Sequence, residues 1–384
     1  MKEYAHGADT AGFAKAIGAR QDEIIDFSSN INFVKPCVDT PNGFGFLSAY
    51  NSDDYATLRA GLEHRYGVQS QNIELYNGAS AAIFSLFSFL KPSCVALYAP
   101  IYLEYKKIAA LQNADITLID RFSEPKQPKR GSLVVFVNPS TPDGALYDAA
   151  ALLREWVGLD CTVVVDESFL DFTDGASLMG ELENYENLYV VKSLTKYYGA
   201  AGVRVGFVAS SAKNIAALKS REPLWKLSSF DAYYMATALN DNSFDARSKE
   251  QNDANRELLR KTLESSGLFE HIFEGKANYL CARLSGLSIA ALQEILAREK
   301  MLIRDCSNFD ALGSGYARFA VRGEADILAL RLAIGGKHAK VESKEKRKEK
   351  FLKDVQASLK DAKEGRAESI ADIGRHIEEL KKLK

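Results

Sequence analysis

The sequence predicts an α/β protein: a large domain on a mostly parallel central sheet, then a smaller α+β domain, then an extra helical C-terminal tail. Three observations carry this. Short, almost wholly apolar runs recur through the middle of the chain, bounded by Gly, Pro, Asn or Asp, as strands covered on both faces require. Helical patterns lie between them, and strand alternating with helix is the mark of parallel crossovers. From about Phe244 the alternation gives way to one long polar-apolar helical pattern and a different set of strands.

The runs "CVALYAP", "ADITLID", "SLVVFVNP", "CTVVVDES", "NLYVVKS" and "RVGFVAS" are the predicted strands of the large domain, with helices over "SAAIFSLFSFL" and "LYDAAALLREWVG". The second domain starts with the helix "ARSKEQNDANRELLRKTLESSG" and continues through "ANYLCARLS", a further helix, "MLIRDCS" and "GYARFAVRG". The expected boundaries are an N-terminal arm over 1–35, a large domain over 36–243, a small domain over 244–336 and a charged extension over 337–384. That extension is rich in Lys and Glu, and Ile370, Ile373, Ile377 and Leu380 make one narrow helical stripe on it. It reads as a solvated helical appendage rather than a functional basic arm.

Composition excludes several function classes. A chain of 384 residues with 46% hydrophobic and 26% charged content is an ordinary globular protein. Its formal net charge of -2 gives no reason to expect nucleic acid or an anionic membrane as partner. Cys37, Cys94, Cys161, Cys281 and Cys306 show neither CxxC nor Cys/His spacing, so neither a disulfide framework nor a structural metal is expected. The start "MKEYAHGADTAGF" lacks an apolar signal region, and a cytoplasmic protein is the expectation.

The chemistry concentrates in "KSLTKYYGAAGVRVGF". Ser193 stands three residues before Lys196 and Arg204 eight after it. A hydroxyl and a planar guanidinium at those offsets could share one phosphate. Asp166 ends the run "CTVVVD", at the carboxyl end of a strand, where ligands collect in open α/β sheets. Backbone N–H groups of Ala79 and Ser80, in the small-residue stretch "YNGASAA" at a helix start, could hold the same anion. Tyr102, two residues after Pro100, could stack on an aromatic ring. Each feature alone has an ordinary reading, as a cap, a turn, core packing or an ion pair. Their order along one chain is far more specific.

That order resembles the pyridoxal 5′-phosphate (PLP) enzymes of fold type I, the aspartate aminotransferase superfamily, over about residues 3 to 335. The resemblance implies that Lys196 forms a Schiff base with PLP and that Asp166 pairs with its ring nitrogen. It implies that Ser193, Arg204, Ala79 and Ser80 hold the phosphate and Tyr102 stacks on the ring. "HGAD" at His6, "DFSSNIN" at Asp26, "DESFLDF" at Asp166, "MLIRDCSNF" and "GYARFAVR" are similar to the threonine-phosphate decarboxylase branch, close to histidinol-phosphate aminotransferase. From that branch, His6, Asn30, Arg304 and Arg318 are the implied substrate-binding residues. Tyr50, in "AYNSDDYATLR", matches a tyrosine that reaches the phosphate of the neighbouring subunit, which implies a homodimer with shared sites.

Two positions depart from the aminotransferase pattern. In "NPSTPDG" the Asn that bonds the cofactor's phenolic oxygen is replaced by Thr141, and the Tyr three residues after the Asp is Phe169. Phe169 is usual for the decarboxylase branch. The implied reaction is decarboxylation of threonine or serine phosphate. The competing readings are a histidinol-phosphate aminotransferase and a PLP-fold binding or regulatory module, and retention of Lys196, Asp166 and Arg204 together speaks against the module.

Overall fold

In the computed structural model, residues 7–39, 48, 50–51, 54–123 and 126–335 are described. His6 and the charged extension lie outside them. In chain order the strands are β1 (Ile25–Asp26), β2 (Ile73–Tyr76), β3 (Cys94–Ala99), β4 (Asp115–Asp120), β5 (Leu133–Val137), β6 (Thr162–Asp166), β7 (Leu188–Ser193), β8 (Gly206–Ala209), β9 (Phe269–Ile272), β10 (Tyr279–Leu284), β11 (Met301–Leu302), β12 (Arg304–Asp305) and β13 (Tyr316–Ala320).

Seven of these form the central sheet in the order β2-β8-β7-β6-β5-β3-β4. The block from β7 to β4 is parallel, and β8 runs antiparallel to both of its neighbours. The apolar runs are continuous because both faces are covered. Leu133, Val135 and Val137 of β5 enter one hydrophobic cluster with the helix Gly78–Leu90, while Val134 and Phe136 enter another with Trp156 of the helix Ala149–Gly158.

All six strands predicted for the large domain are present. β2 was not predicted. It has four residues with Glu74 among them, and a buried carboxylate breaks the apolar signal. Glu74 is tolerated because Arg59, 3.4 Å away, and Lys226 pair with it.

The small domain is the antiparallel sheet β12-β13-β10-β9. It packs with the helices Phe244–Ser266, Ile289–Ala297 and Glu324–Ile334 around Leu259, Leu263, Leu292, Phe319 and Leu330. The N-terminal segment is built into this layer: β1 pairs in parallel with β11, and Phe27 is buried in the same cluster. The arm therefore reaches the cleft between the domains from the small-domain side. Among the described residues, no helix is long and apolar enough to cross a membrane.

Candidate active site

A cavity of about 250 Å³ lies at the carboxyl ends of the parallel strands, closed over by the small domain and the arm. The topology explains which residues meet there. β5, β6 and β7 are adjacent and in register, so the segments leaving them, at Thr141, Asp166 and Ser193–Lys196, emerge side by side. Tyr102 follows β3 in the same way. Of the residues singled out from the sequence, Asn30, Ala79, Ser80, Tyr102, Thr141, Asp166, Ser193, Lys196, Arg204, Arg304 and Arg318 all line this one cavity. Tyr50 does not. It is 76% exposed and stacks on Trp225 with 4.4 Å between ring centroids. Gly7 and Ala8, which follow His6, do line the cavity, with the Ala8 N–H donating to Ser28 Oγ at 2.8 Å.

One wall is an anion cradle. The helix Gly78–Leu90 begins at the cavity, and the side chain of its N-cap residue Asn77 makes no capping bond, so the first N–H groups stay open to a ligand. Gly78 has φ 77, and a Cβ there would come within 2.5 Å of Arg204 Nη2. The backbone conformation strains any side chain there, and a Cβ would also displace the guanidinium. Gly206 is equally confined, because an added Cβ would meet Ala79 N at 2.6 Å. The two glycines let β8, the helix start and Arg204 converge. Ser193 completes the wall, its hydroxyl 2.9 Å from Thr195 Oγ1.

Facing the cradle is a buried carboxylate. Asp166, 5% exposed, accepts from the Ser168 N–H at 2.9 Å and from the Tyr105 hydroxyl at 2.8 Å. Burial pushes its carboxyl upward, while Ser168, Tyr105 and Lys196 oppose that shift. Lys196 lies on the short helix Leu194–Tyr197 after β7. Its amine takes no hydrogen bond or ion pair within the described residues. Burial, then Arg318 and Arg204, lower it to about 8.

The opposite wall comes from the small domain. Arg304 and Arg318 are register partners on β12 and β13, 5% and 9% exposed, so two guanidiniums rise abreast from one sheet face. Like charges directly opposite each other destabilise a sheet unless an anion joins them. Arg318 donates to Thr141 Oγ1 at 3.0 Å and to the Ser28 carbonyl at 3.2 Å. Arg304 donates to Asn308 Oδ1 at 2.7 Å and lies over the Phe309 ring. Among the described residues, Arg318 Nε and Asn30 Oδ1 are buried without a hydrogen-bond partner. Among the described lining residues, Lys196, Arg204, Arg304 and Arg318 face one carboxylate, Asp166.

Several neighbours carried no signal of their own. Tyr105 sits three residues beyond Tyr102, a spacing that puts both on one side of the helix Leu103–Leu111. Ser168 follows Asp166 by two. Tyr279 read only as part of a strand. It donates to the Ser140 carbonyl at 2.7 Å and packs edge-on against Phe169 at 5.0 Å.

Residues 47–331 match the family described as aminotransferase class I and II. The chain belongs to that family. It is 27% identical over 356 residues to the threonine-phosphate decarboxylase of Salmonella typhimurium, covering 86% of this chain and 97% of that protein. It is also 27% identical to the adenosylcobalamin biosynthesis bifunctional protein CobDQ of Leptospira interrogans, covering 83% of this chain but 39% of that longer protein. Among solved structures, histidinol-phosphate aminotransferase from Sinorhizobium meliloti in complex with pyridoxal-5′-phosphate superimposes with TM-score 0.71 at 15% identity, over 85% of this chain and 94% of that one. The fold is that of the PLP-dependent enzymes of fold type I.

The cavity suits PLP on its own chemistry. It offers an open helix N-terminus beside a guanidinium for a phosphate, a buried carboxylate for a ring nitrogen and an unpaired amine for an aldehyde. Lys196 would hold the cofactor covalently. Because the neutral amine is the nucleophile, the pH dependence has a defined sign. At pH 8 about half of Lys196 is neutral, against roughly one in a hundred or fewer for an ordinary lysine near 10.4. The unfolded chain binds this proton more tightly, so the term also favours folding as pH rises from about 8 towards 10.4. We predict that the rate of Schiff-base formation by apoprotein and PLP, followed by visible absorbance and fixed on Lys196 by borohydride, rises with a midpoint near pH 8. A midpoint above pH 10 would contradict the description of this lysine.

Proposed function

We propose that the protein is a PLP-dependent decarboxylase of a small phosphorylated amino acid, threonine O-3-phosphate or serine O-phosphate, releasing CO2 and the amino-alcohol phosphate. The observation that carries this reading is the pair Arg304 and Arg318. As directly opposed residues on neighbouring strands, their Cα atoms are separated by roughly 5 Å. That spacing suits a compact substrate whose carboxylate and phosphate ester lie close together. Such a substrate carries about three negative charges, and the cavity supplies buried cations beyond those needed for the cofactor phosphate. The relatives named for threonine phosphate and adenosylcobalamin biosynthesis agree with it, and the product would serve as the linker of the cobalamin nucleotide loop.

PLP, when bound, supplies a ring that accepts the electron pair left on Cα as the carboxylate departs. The remaining work belongs to the chain. Arg318 and Arg304 hold the two acidic groups and so fix the direction in which the carboxylate leaves. Asn30 Oδ1 lies ready for a donor such as the substrate amine. Arg204, Ser193 and the helix N-terminus would carry the cofactor phosphate, and Asp166 would carry the ring N–H. Lys196, with its amine lowered to about 8, is suited to return a proton to Cα near neutral pH.

Histidinol-phosphate aminotransferase is the second reading, favoured by the likeness to the Sinorhizobium meliloti structure. The two separate cleanly. Supplied with O-phosphothreonine or O-phosphoserine and no 2-oxo acid, the protein should release CO2, and Lys196→Ala should release none. Transfer of an amino group from glutamate to the oxo precursor of histidinol phosphate, without CO2 from either phospho-amino acid, would replace the decarboxylase reading.

Arg318→Lys should lower kcat/KM by about 10- to 100-fold, because a planar fork bonded to Thr141 and Ser28 is exchanged for a point charge. PLP content, read from the visible band, should stay near wild type. Parallel loss of PLP would move Arg318 from substrate to cofactor binding.

The same reading includes a homodimer with shared sites. Tyr50, Leu224 and Trp225 are 76%, 73% and 51% exposed, and Tyr50 reaches no part of its own cavity. Such an aromatic and aliphatic patch suits a partner surface. Mixed Tyr50→Ala and Lys196→Ala subunits should regain activity, since one site of each heterodimer keeps both residues. No recovery despite demonstrated subunit exchange would exclude a shared site.

A further inference from the structure

Asp166 is held from two sides, and one of the holders comes from the helix Leu103–Leu111. Tyr105 lies in the first turn of the helix Leu103–Leu111, is wholly buried, and sends its hydroxyl to Asp166 Oδ2 at 2.8 Å across 61 residues of sequence. The other oxygen, Oδ1, is occupied by the Ser168 N–H at 2.9 Å. Together the two donors fix the plane of the carboxylate. Each oxygen has a second lone pair, so one more donor can still be accepted. The Tyr105 ring also meets the Tyr102 ring edge-on at 6.4 Å and packs on Phe87 at 6.3 Å.

We propose that Tyr105 is a positioning residue for the cofactor: its hydroxyl aims the Asp166 carboxylate that would receive the ring N–H, while its ring backs the stacking Tyr102. This rests on the cofactor reading above.

The hydroxyl and the ring perform separable tasks. The groups that bear on Asp166 are Ser168, Tyr105, Lys196, Tyr102 and Tyr279. Lys196 is the group that would hold the cofactor, so the donors dedicated to the carboxylate are those that do not also serve the aldehyde. The donors that remain are Ser168 and Tyr105, and burial works against them. Burial also drives the Tyr105 phenol well above its ordinary value, so it stays a donor across the working range. Phe at this position keeps the packing on Tyr102 and Phe87 and removes only the donor. With one donor fewer, the carboxylate takes up its proton at higher pH. A neutral Asp166 is a weaker partner for a ring N–H.

The test compares wild type and Tyr105→Phe, each titrated with PLP and with a carbocyclic PLP analogue in which carbon replaces the ring nitrogen. Schiff-base absorbance and its pH profile are the readouts. The expected result is about tenfold weaker binding of PLP by Tyr105→Phe, with the pH profile of its band displaced, and little change for the carbocyclic analogue. An equal loss for both aldehydes would make Tyr105 a structural residue and overturn the proposal. So would unchanged PLP affinity and pH profile in a variant that forms the band. A wild-type chain that forms no band with PLP would overturn the cofactor reading, and this inference with it.

Discussion

An excess of buried positive charge organises this molecule. Among the described residues, four cationic side chains and one carboxylate face a cavity of about 250 Å³. Removing charges from water costs several kcal/mol each unless partners satisfy them. Here the compensation within the chain is incomplete. Arg318 and Arg304 are both pushed towards each other by sheet register, the Arg318 Nε has no hydrogen-bond partner among the described residues, and the Lys196 amine is lowered to about 8. Such an arrangement persists when a rigid scaffold over-determines it. The scaffold is the pair of sheets: parallel strands buried on both faces set one wall, and the antiparallel small-domain sheet sets the other.

Because the walls belong to different layers, the anion sites depend on how those layers meet. Arg318 shows this directly. Its guanidinium bonds Thr141 from the large domain and the Ser28 carbonyl from the N-terminal segment, while its backbone lies in the small-domain sheet. The N-terminal segment is in turn fixed by β1 on β11 and by Phe27 in the small-domain core. A shift of either domain would therefore move the guanidinium relative to Lys196. Thr141 gains a role by the same contact. Its oxygen accepts from Arg318, and its hydroxyl also bears on Tyr279 of the small-domain sheet.

Much of the fold was legible because the parallel strands are apolar without interruption, a pattern that only double burial produces. The strand β2 escaped because Glu74 and its partners Arg59 and Lys226 are polar yet buried, and a pairing such as that with Lys226, 152 residues away, leaves no local trace. Residues of the candidate site that fall at strand ends, such as Asp166 and Ser193, could be read because strand ends announce themselves. Tyr105, Tyr279 and Asn308 could not, since each acts through a contact made by another element. The proximity of Arg304 and Arg318 was open to a resemblance but not to spacing, because the 13 residues between them fold back to place them opposite one another.

Phe169 and Tyr279 give the last link between the layers. Phe169 is the position at which a tyrosine would bring a phenol to the cavity. It instead presents an apolar edge to the Tyr279 ring, and the Tyr279 hydroxyl is spent on the Ser140 carbonyl. That bond joins the small-domain sheet to the loop after β5, one residue before Thr141. The phenol therefore serves the junction between domains, and the face of the cavity near Phe169 is left with fewer hydrogen-bond donors. In such a site the cations carry most of the recognition. A ligand rich in negative charge gains there, and beside Phe169 a neutral aromatic group meets an apolar surface rather than a phenol.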